Sequence, residues 1–332
     1  MTEKTFKVLR IEEVGENKFE RKSVDLPLSS LPEGDVLVKV LYSSLNFKDA
    51  LSAVGNRGVT KKYPHTPGID AAGIVEESAD PDFKPGEEVI VTSYDLGMNT
   101  DGGFGQYIRV PAEWVVKLPA GMTLKESMMY GTAGFTATLS VLRLTEYGVK
   151  PDMGEVLVSG ATGGVGSIAL SILSKLGYKV TAVNGVVDER DYLKEIGAES
   201  VISIEEATDT SGRPLLKARW AGCIDTVGGD ILSTSIRSTN LGGGVTCCGN
   251  AASPELPLTV FPFILRGVTL MGIDSQNCPM PVRRRAWEKI AGEWKVPWIE
   301  KIVSEVSLEE VSDRIDAMLQ GKHRGRTVIN LW

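Results

Sequence analysis

The segment SGATGGVGS, residues 159–167, constrains the fold of this chain more than any other stretch. Its four glycines are Gly160, Gly163, Gly164 and Gly166. The apolar segment EVLVSG (155–160) precedes them, and VGSIALSILSKLG (165–177) follows with apolar residues at helical spacing. Glycines between a strand and a helix allow a tight turn and let a phosphate approach the amides at the start of the helix. We therefore predict a dinucleotide-binding loop, with a purely structural glycine turn as the alternative.

Five further strand candidates follow along the chain. They are KVTAVNG, SVISI, AGCIDTVG, GGVTCCGN and VTLMGID, and helical or irregular segments such as DERDYLKEIGA lie between most of them. Near-continuous apolar strands that alternate with helices are typical of a parallel sheet covered on both faces. Six strands in this order predict an α/β, doubly wound (Rossmann) dinucleotide-binding domain over residues 127–275.

Residues 1–126 show a different pattern, in which short strands are separated by turn residues. The segments DVLVKVLYSSL, GIDAAGIVEES and GEEVIVTSY are typical of strands, and PEGD, KPGEE and TDGGFG are typical of turns. This half predicts a mostly β, barrel-like domain. After residue 275 the sequence predicts a helix, a strand, a helix and a final strand, which a doubly wound sheet does not need. We expect residues 276–332 to return to the first domain and complete it.

The composition narrows the possible partners and the location. A formal charge of −7 and a pI near 5.2 argue against nucleic acid as a main partner, and we interpret the basic runs 61–62 and 283–285 as solvated surface. No apolar run has the length of a membrane span or a signal-peptide core. The four cysteines fit neither a disulfide framework nor a zinc motif, so reduced thiols in a cytoplasmic protein are expected.

The end of the second strand of such a sheet often selects between NAD and NADP. An Asp or Glu at this point binds the ribose 2′-hydroxyl in many NAD-dependent proteins. Here the strand ends at Asn184 and Gly185 without a carboxylate. Asp188 and Glu189 follow closely, and Arg190 is the cation nearby. This pattern favours NADPH as the cofactor and leaves NADH possible.

Several stretches make the chain resemble the medium-chain dehydrogenase/reductase superfamily over nearly its whole length. They are SSLNFKDAL (43–51), PGIDAAGIV (67–75), GGFGQYIRVP (102–111), YGTAGFTA (130–137) and the glycine loop. The segments WAGCIDTVGG, PFILRGVTLMGIDS and GRTVIN are most similar to the acrylyl-CoA reductase (YhdH/YhfP-type) group of the quinone oxidoreductase branch. The resemblance implies a GroES-like catalytic domain before the Rossmann domain. It also implies a homodimer, in which the edge strand VTLMGID could pair with its twin.

The resemblance also predicts the absence of zinc. The zinc enzymes of the superfamily have a cysteine where this chain has Asn46, and a Gly-His-Glu motif where it has residues 68–70, Gly-Ile-Asp. Neither Asn nor Ile supplies the ligand that zinc prefers. His65 lies outside the ligand position and is expected to pack or lie at the surface, and His323 stands alone in the C-terminal region. We expect no bound metal.

Without a Lewis acid, the chemistry that remains is hydride transfer to an acceptor that is already activated. The resemblance implies NADPH-dependent reduction of the C=C bond of acryloyl-CoA, or of another short 2-enoyl-CoA, to the saturated thioester. The protein then has to orient the reactants and stabilise the developing enolate. Two alternatives are an NADPH:quinone oxidoreductase and, from a different class, an NADP-binding protein with little turnover.

The resemblance assigns catalytic positions to the first half of the chain. Asn46 is expected to face the nicotinamide or the acceptor and to donate from its amide, and Phe47 is expected to contact the cofactor. Asp49 is expected to hold the loop. The possible proton donors are Tyr42, Ser44 and Tyr63.

The resemblance also assigns cofactor contacts. They are Gly163, Gly164, Val165 and Gly166 at the pyrophosphate, Asn184 near the adenosine ribose, Ser200 after the second helix, and Asn250, Ile264 and Ser275 around the nicotinamide. Relatives commonly carry Ser-Gly-Arg where residues 184–186 read Asn-Gly-Val, so the arginine that would bind a 2′-phosphate is missing. Lys61, Lys62 and Arg284 are candidates for the phosphates of a CoA thioester by position alone.

Overall fold

The computed structural model describes residues 3–185 and 189–332. The chain separates into two compact units. Unit 1 comprises Met1–Thr132, Gln276–Ala291 and Glu300–Trp332, and unit 2 comprises Ala133–Ser275 and Gly292–Ile299. The first junction therefore lies after Thr132 instead of residue 126, and residues 292–299 group with unit 2 although the sequence assigned all of 276–332 to the first domain.

Unit 1 is built mainly from strands. They are β1 (Thr5–Gly15), β2 (Lys18–Pro27), β3 (Val36–Ser44), β4 (Asp70–Ser78), β5 (Glu88–Thr92), β6 (Tyr107–Val110), β7 (Val115–Lys117), β14 (Val303–Ser307) and β15 (Arg326–Asn330). β1 and β2 form a two-stranded antiparallel ladder. The other strands form one sheet in the order β14-β15-β3-β4-β5-β7, with β6 also paired to β3. The helices are α1 (Phe47–Ser52), α8 (Met280–Ala291) and α9 (Val311–Leu319).

The C-terminal segment joins this sheet through β15, which pairs antiparallel with β3. Val328 lies opposite Ser44, and Asn330 lies opposite Tyr42. The register follows from the alternation in β3, where Val36, Val38 and Val40 point into an apolar core on one face. The last strand is therefore an integral part of unit 1, and it brings residue 326 to the end of β3.

Unit 2 is a parallel sheet of six strands. They are β8 (Glu155–Val158), β9 (Val180–Asn184), β10 (Ser200–Ser203), β11 (Trp220–Asp225), β12 (Thr239–Cys247) and β13 (Thr269–Gly272). Their order is β10-β9-β8-β11-β12-β13, with every pair parallel. This 3-2-1-4-5-6 order is that of the doubly wound dinucleotide fold. The prediction of the fold class, including all six strands, is confirmed.

The helices of unit 2 alternate with these strands. They are α3 (Gly164–Lys175), α4 (Arg190–Glu195), α5 (Ile204–Ala207), α6 (Gly229–Arg237) and α7 (Phe261–Arg266). The predicted first helix ends as expected, because Gly177, two residues after α3, has a φ of 84° that a glycine adopts readily. The long helix α2 (Leu124–Tyr147) contains the unit boundary and a break at Gly131. Over the described ranges, no helix is both long and apolar enough to cross a bilayer.

Candidate functional site

The glycine loop of unit 2 turns tightly between β8 and α3. Gly160 has a φ of 58°, and its carbonyl accepts a hydrogen bond of 3.0 Å from the amide of Gly163. A Cβ atom on Gly166 would lie 2.3 Å from the Gly160 carbonyl oxygen. The first turn of the helix therefore packs against the turn before it, and only glycine fits at this contact.

The start of α3 fits the pyrophosphate of a dinucleotide. Gly163 precedes the helix, and Gly164 and Val165 form its first two positions. The amides of a first helical turn have no acceptor within the helix, and the helix dipole favours an anion at this end. All three residues are only half-buried. The residues present therefore form a cradle in which backbone amides can bind phosphate oxygens.

The strand order reverses between β8 and β11, and a polar network joins the ends of these two strands. One carboxylate oxygen of Asp225 accepts from the hydroxyl of Ser159 at 2.7 Å, and the other accepts from the amide of Gly228 at 2.8 Å. Burial raises the pKa of Asp225. Ligands of doubly wound proteins bind at such a switch point. The sequence analysis missed Asp225, although an aspartate that ends the apolar run AGCID was a usable signal.

Two expected cofactor contacts, Asn184 and Ser200, lie at opposite ends of the parallel strands. Asn184 is the last residue of β9 and lies at the edge that carries the glycine loop. Ser200 is the first residue of β10, and its hydroxyl bonds at 2.7 Å to that of Thr181, which donates to Glu155 at the start of β8. Ser200 thus lies at the amino ends of the strands, whereas ligands of this fold bind at the carboxyl ends, and its cofactor contact stays a prediction. Ser203 pairs with Asn184 at the carboxyl edge instead.

The remaining expected cofactor residues lie on separate elements of unit 2. Arg190 is exposed at the start of α4, and Asn250 is exposed after the carboxyl end of β12. Ser275 is half-buried after β13. Ile264 is 67% exposed on α7. Positions 186 and 188, where the sequence has Val186 and Asp188, lie outside the described residues. These contacts stay predictions.

In unit 1, Asp49 ties the start of α1 to the segment before β4. One oxygen accepts from the backbone amide of Asn46 at 2.7 Å, and the other accepts from the amides of Gly68 and Ile69 at 3.1 and 2.8 Å. Burial, with the neighbouring carboxylate of Asp70 second, raises the pKa of Asp49 to about 7. The carboxylate holds the loop, as expected.

Asp70, the first residue of β4, is fully buried and collects several donors. Its Oδ2 accepts from the hydroxyl of Ser44 at 2.5 Å, the amide side chain of Asn46 at 2.8 Å and the backbone amide of Thr132 at 2.9 Å. Its Oδ1 accepts from the hydroxyl of Thr132 at 2.6 Å. A buried carboxylate with this number of donors is held in one orientation.

Arg326 completes this group of buried charges and is 2% exposed. Its guanidinium donates to the hydroxyl of Ser44 at 2.7 Å and to the backbone carbonyls of Leu45 and Met129, each at 3.1 Å. It also lies 3.4 Å from Oδ1 of Asn46 and 4.0 Å from the Asp70 carboxylate. We call Ser44, Asn46, Asp49, Asp70, Thr132 and Arg326 the charge cluster. This arginine belongs to the segment GRTVIN and is not among the predicted site residues.

The predicted catalytic residues lie in and around the charge cluster. Asn46 is buried, and its amide nitrogen donates to the Ser44 carbonyl at 3.2 Å as well as to Asp70. The amide that was expected to donate to the acceptor is thus engaged within the protein. Phe47, the next residue, is 50% exposed. Tyr42 lies half-buried in β3, opposite Ala72 of β4.

The other possible proton donors are engaged in this structure. The hydroxyl of Ser44 donates to Asp70, and that of Tyr63 donates to the Ser52 carbonyl at 2.6 Å. His65 is buried with Nε2 2.9 Å from the Gly97 carbonyl, a packing role as expected.

The interpretation of the basic run 283–285 as solvated surface is wrong for Arg283. It is fully buried and donates to the backbone carbonyls of Thr92 and Gln276, whereas Arg284 and Arg285 are exposed. Arg283 lies on the face of α8 that also carries Ala286, Trp287 and Ile290, so its position in the helical period determines its burial. Lys61 and Lys62 are exposed, in agreement with the surface interpretation.

Within residues 3–185 and 189–332, the structure contains no group of three His, Cys, Asp or Glu side chains that could hold a metal ion. The position of a zinc-ligating cysteine is taken by Asn46, whose amide nitrogen donates to Asp70 instead of presenting a lone pair.

A mainly β unit, followed by a doubly wound unit with a glycine loop at its first strand, defines a two-unit nicotinamide-dependent dehydrogenase or reductase. Family comparisons agree. The family "Alcohol dehydrogenase GroES-like domain" matches residues 32–120, and "Zinc-binding dehydrogenase" matches residues 164–292.

Comparison with individual relatives identifies the group within this family. The chain is 48% identical to the putative quinone oxidoreductase YhfP of Bacillus subtilis (strain 168), over 91% of this chain and 92% of the relative. It is 43% identical to the acrylyl-CoA reductase AcuI of Ruegeria pomeroyi, over 92% and 93%. The chain belongs to this quinone oxidoreductase and acrylyl-CoA reductase group of oxidoreductases, within the medium-chain dehydrogenase/reductase superfamily.

Solved structures of the group carry either nicotinamide cofactor. The yhdH oxidoreductase from Salmonella enterica, in complex with NADP, superposes with a TM-score of 0.96 at 41% identity over 98% of this chain and 100% of that one. The Bacillus subtilis protein yhfP, with NAD bound, superposes with a TM-score of 0.96 at 45% identity over 99% and 100%.

Proposed function

We propose that this protein is an NADPH-dependent reductase of an activated C=C bond, with acryloyl-CoA or another short 2-enoyl-CoA as acceptor and the saturated thioester as product. One observation carries the proposal: the chain contains a dinucleotide cradle at residues 160–166 in one unit and, in the other, a charge cluster in which the side-chain amide of Asn46, at the position of a zinc-ligating cysteine, donates to Asp70. The similarity to an acrylyl-CoA reductase over nearly the whole chain supports the choice of acceptor.

The residues of the chain bind and orient the reactants. The nicotinamide cofactor, when bound, supplies the hydride. The amides at the start of α3 bind its phosphates, and Gly166 lets the helix approach. Phe47 presents an exposed aromatic face directly after Asn46, which suits a flat ring. The charge cluster holds the backbone on both sides of Phe47 in place through Asp49 and Asp70.

We propose that the reaction does not use zinc. Reduction of an alkene conjugated to a thioester needs an oriented hydride donor and hydrogen-bond donors for the enolate, and it does not need a Lewis acid on an alcohol oxygen. We propose NADPH as the cofactor, with NADH as the alternative. The end of β9 lacks a carboxylate to repel a 2′-phosphate, which favours NADPH, yet relatives have been solved with NADP and with NAD.

A screen of cofactor oxidation tests the function. Initial rates are measured with NADPH and NADH against acryloyl-CoA, a longer 2-enoyl-CoA and benzoquinone, with and without EDTA, and zinc is measured in the purified protein. We expect kcat/KM for acryloyl-CoA with NADPH to exceed that for the quinone by about tenfold or more, because the site discriminates through oriented contacts. Addition of EDTA should change neither the rate with acryloyl-CoA nor the rate with the quinone.

The rival functions give different results in the same screen. A kcat/KM for the quinone above that for every thioester identifies a quinone reductase. This is the activity that the name of the relative YhfP, a putative quinone oxidoreductase, describes. Tight binding of NADPH without turnover of any acceptor identifies a cofactor-binding protein of little activity. Stoichiometric zinc whose removal abolishes turnover overturns the zinc-free mechanism.

We also propose a cytoplasmic homodimer. β13 is an outer strand of its sheet, and an outer strand can pair with its copy across a two-fold axis. The helix before it, α7, adds exposed apolar side chains, among them Ile264 and Leu265. Sedimentation velocity should give twice the chain mass at micromolar concentration, and a monomer throughout would contradict the dimer.

A further inference from the structure

Arg326, from the first position of β15, reaches the charge cluster although it lies 280 residues after Asn46. We propose that Arg326 is a positioning residue of the proposed reductase: it balances the buried carboxylates and fixes the orientation of the Asn46 side chain, and through it the start of α1. The inference rests on the proposed function, and it gives the C-terminal segment a role in the site beyond pairing with β3.

The burial of the charges supports a requirement for this cation. Asp49 and Asp70 are both 0% exposed, and Arg326 is the cation of the charge cluster. Its contact with Asp70 is mediated by Ser44, whose hydroxyl accepts from Arg326 and donates to Asp70. Removing one partner from a buried ion pair leaves the other charge without compensation, which destabilises a protein strongly.

The orientation of the Asn46 amide follows from the charges on its two sides. Its oxygen lies 3.4 Å from the Arg326 guanidinium, and its nitrogen donates to Asp70 at 2.8 Å. A flipped amide would direct its NH₂ group at the guanidinium and its oxygen at the carboxylate. Arg326 and Asp70 together therefore select one orientation. Phe47 follows directly and begins α1, so the fixed side chain sets the position of the exposed aromatic ring.

The guanidinium also clamps two other backbone segments. Its Nε donates to the Met129 carbonyl, and Nη1 donates to the Leu45 carbonyl. Gly131 lies so close that a Cβ atom there would be 2.6 Å from Nη2 of Arg326. A lysine can supply the positive charge at this place, but it lacks the planar fork that contacts Leu45, Met129 and Ser44 together.

A charge-balancing role predicts a specific dependence on pH. Among the residues that the structure describes, Asp49, Asp70 and His323 are the titratable groups that interact electrostatically with Arg326, and Arg314 acts on His323. Asp49 already has a pKa of about 7 because of burial and the neighbouring Asp70, and loss of the cation should raise the pKa of Asp49 further. Protonation then relieves the excess negative charge. The destabilisation caused by removing Arg326 should therefore shrink as the pH falls.

Arg326 also affects the protonation of His323, so this histidine has to be removed from the comparison. Burial, Arg326 and Arg314 lower its pKa to about 4, so removal of Arg326 would also change its protonation. All stability measurements therefore use a His323→Gln background, in which the side chain can still bond to the Thr327 hydroxyl.

The test compares Arg326→Met, which removes the charge, with Arg326→Lys, which keeps it, and with Arg326→Met combined with Asp70→Asn. For Arg326→Met we expect the loss in Tm at pH 8 to be about twice the loss at pH 5.5, and for the double variant a loss that differs little between the two pH values. An equal loss for Arg326→Met at both pH values would show a steric role only and would overturn charge balance.

Kinetics test the positioning role on the full-length protein. Both Arg326→Lys and Arg326→Met should lower kcat by roughly tenfold or more, since small displacements of reacting groups have effects of this size. The Kd for NADPH, measured by fluorescence, should stay within about twofold, because the glycine loop belongs to the other unit. An unchanged kcat in Arg326→Lys overturns positioning by the fork. If the unmodified protein reduces no enoyl thioester, the proposed function fails, while the comparison of Tm still decides the role of Arg326.

Discussion

The glycine loop and the charge cluster, to which we assign roles in the proposed reaction, are built in opposite ways. The loop consists of seven consecutive positions, Gly160–Gly166, and acts through bare backbone. The charge cluster draws its members from four separate segments, near residues 44–49, 70, 132 and 326, and acts through charged side chains. A local motif suffices for the first, whereas the second exists only in the folded unit.

This difference changes what a substitution does. In the loop, the shortest distances are between the turn at Gly160 and the first turn of α3. A methyl group added at this contact interferes directly with the cradle. In the charge cluster, each side chain depends on two or three others, so removing one member leaves the rest with unbalanced charge or unused hydrogen-bonding capacity. Glycines in the two regions provide a direct comparison.

Gly131→Ala should have the largest effect. Gly131 has φ 53° and ψ −157°, which an alanine adopts only under strain, and its Cβ would lie 2.3 Å from the Ser44 hydroxyl and 2.4 Å from the Asp70 carboxylate. Strain of about 1–3 kcal/mol adds to overpacking of about 1–3 kcal/mol. We expect the free energy of unfolding, measured by urea denaturation, to fall by about 3–5 kcal/mol.

Gly177→Ala is the matched control for that variant. Gly177 also has a positive φ, 84°, but nothing lies within 4 Å of the position of its Cβ. Backbone strain alone should lower the free energy of unfolding by about 1–2 kcal/mol. Equal losses in the free energy of unfolding for the two variants would mean that the charge cluster accommodates an extra methyl group without additional cost. The proposed difference between the two regions would then be wrong.

The parts that the sequence predicts correctly are those encoded by neighbouring residues. Six strands and the glycine loop follow from apolar runs and glycine spacing in contiguous windows. The missed or misplaced residues depend on register and on contacts between distant segments. Ser200 is a different case, because it is the first residue of SVISI and the order of residues alone places it at the amino end of a parallel strand, whereas ligands of this fold bind at the carboxyl ends.

The charge cluster shows more clearly what neighbouring residues in the sequence cannot predict. Asn46 and Asp49 are adjacent enough for their backbone interaction to be inferred, but the pairing of β15 with β3 is what brings Arg326 to them. Arg283 is a different case, because its spacing from Ala286, Trp287 and Ile290 in α8 already indicated the buried face of a helix. The helical periodicity of this segment was present in the sequence, but the three consecutive arginines were interpreted only by their charge.

Gly166→Ala should have a smaller effect on stability than Gly131→Ala and a direct effect on the cofactor. Its Cβ would lie 2.3 Å from the Gly160 carbonyl oxygen, so α3 has to move away from the turn, at about 1–3 kcal/mol of overpacking. If the same displacement disturbs the amides that bind phosphate, the Kd for NADPH should rise about ten- to a hundredfold. Gly163→Ala is the control, because Gly163 has a φ of −77° and its Cβ would lie 3.3 Å from the same oxygen. Its Kd should change by less than about threefold. If both variants bind NADPH as the unmodified protein does, close approach of the helix to the turn does not build the cradle.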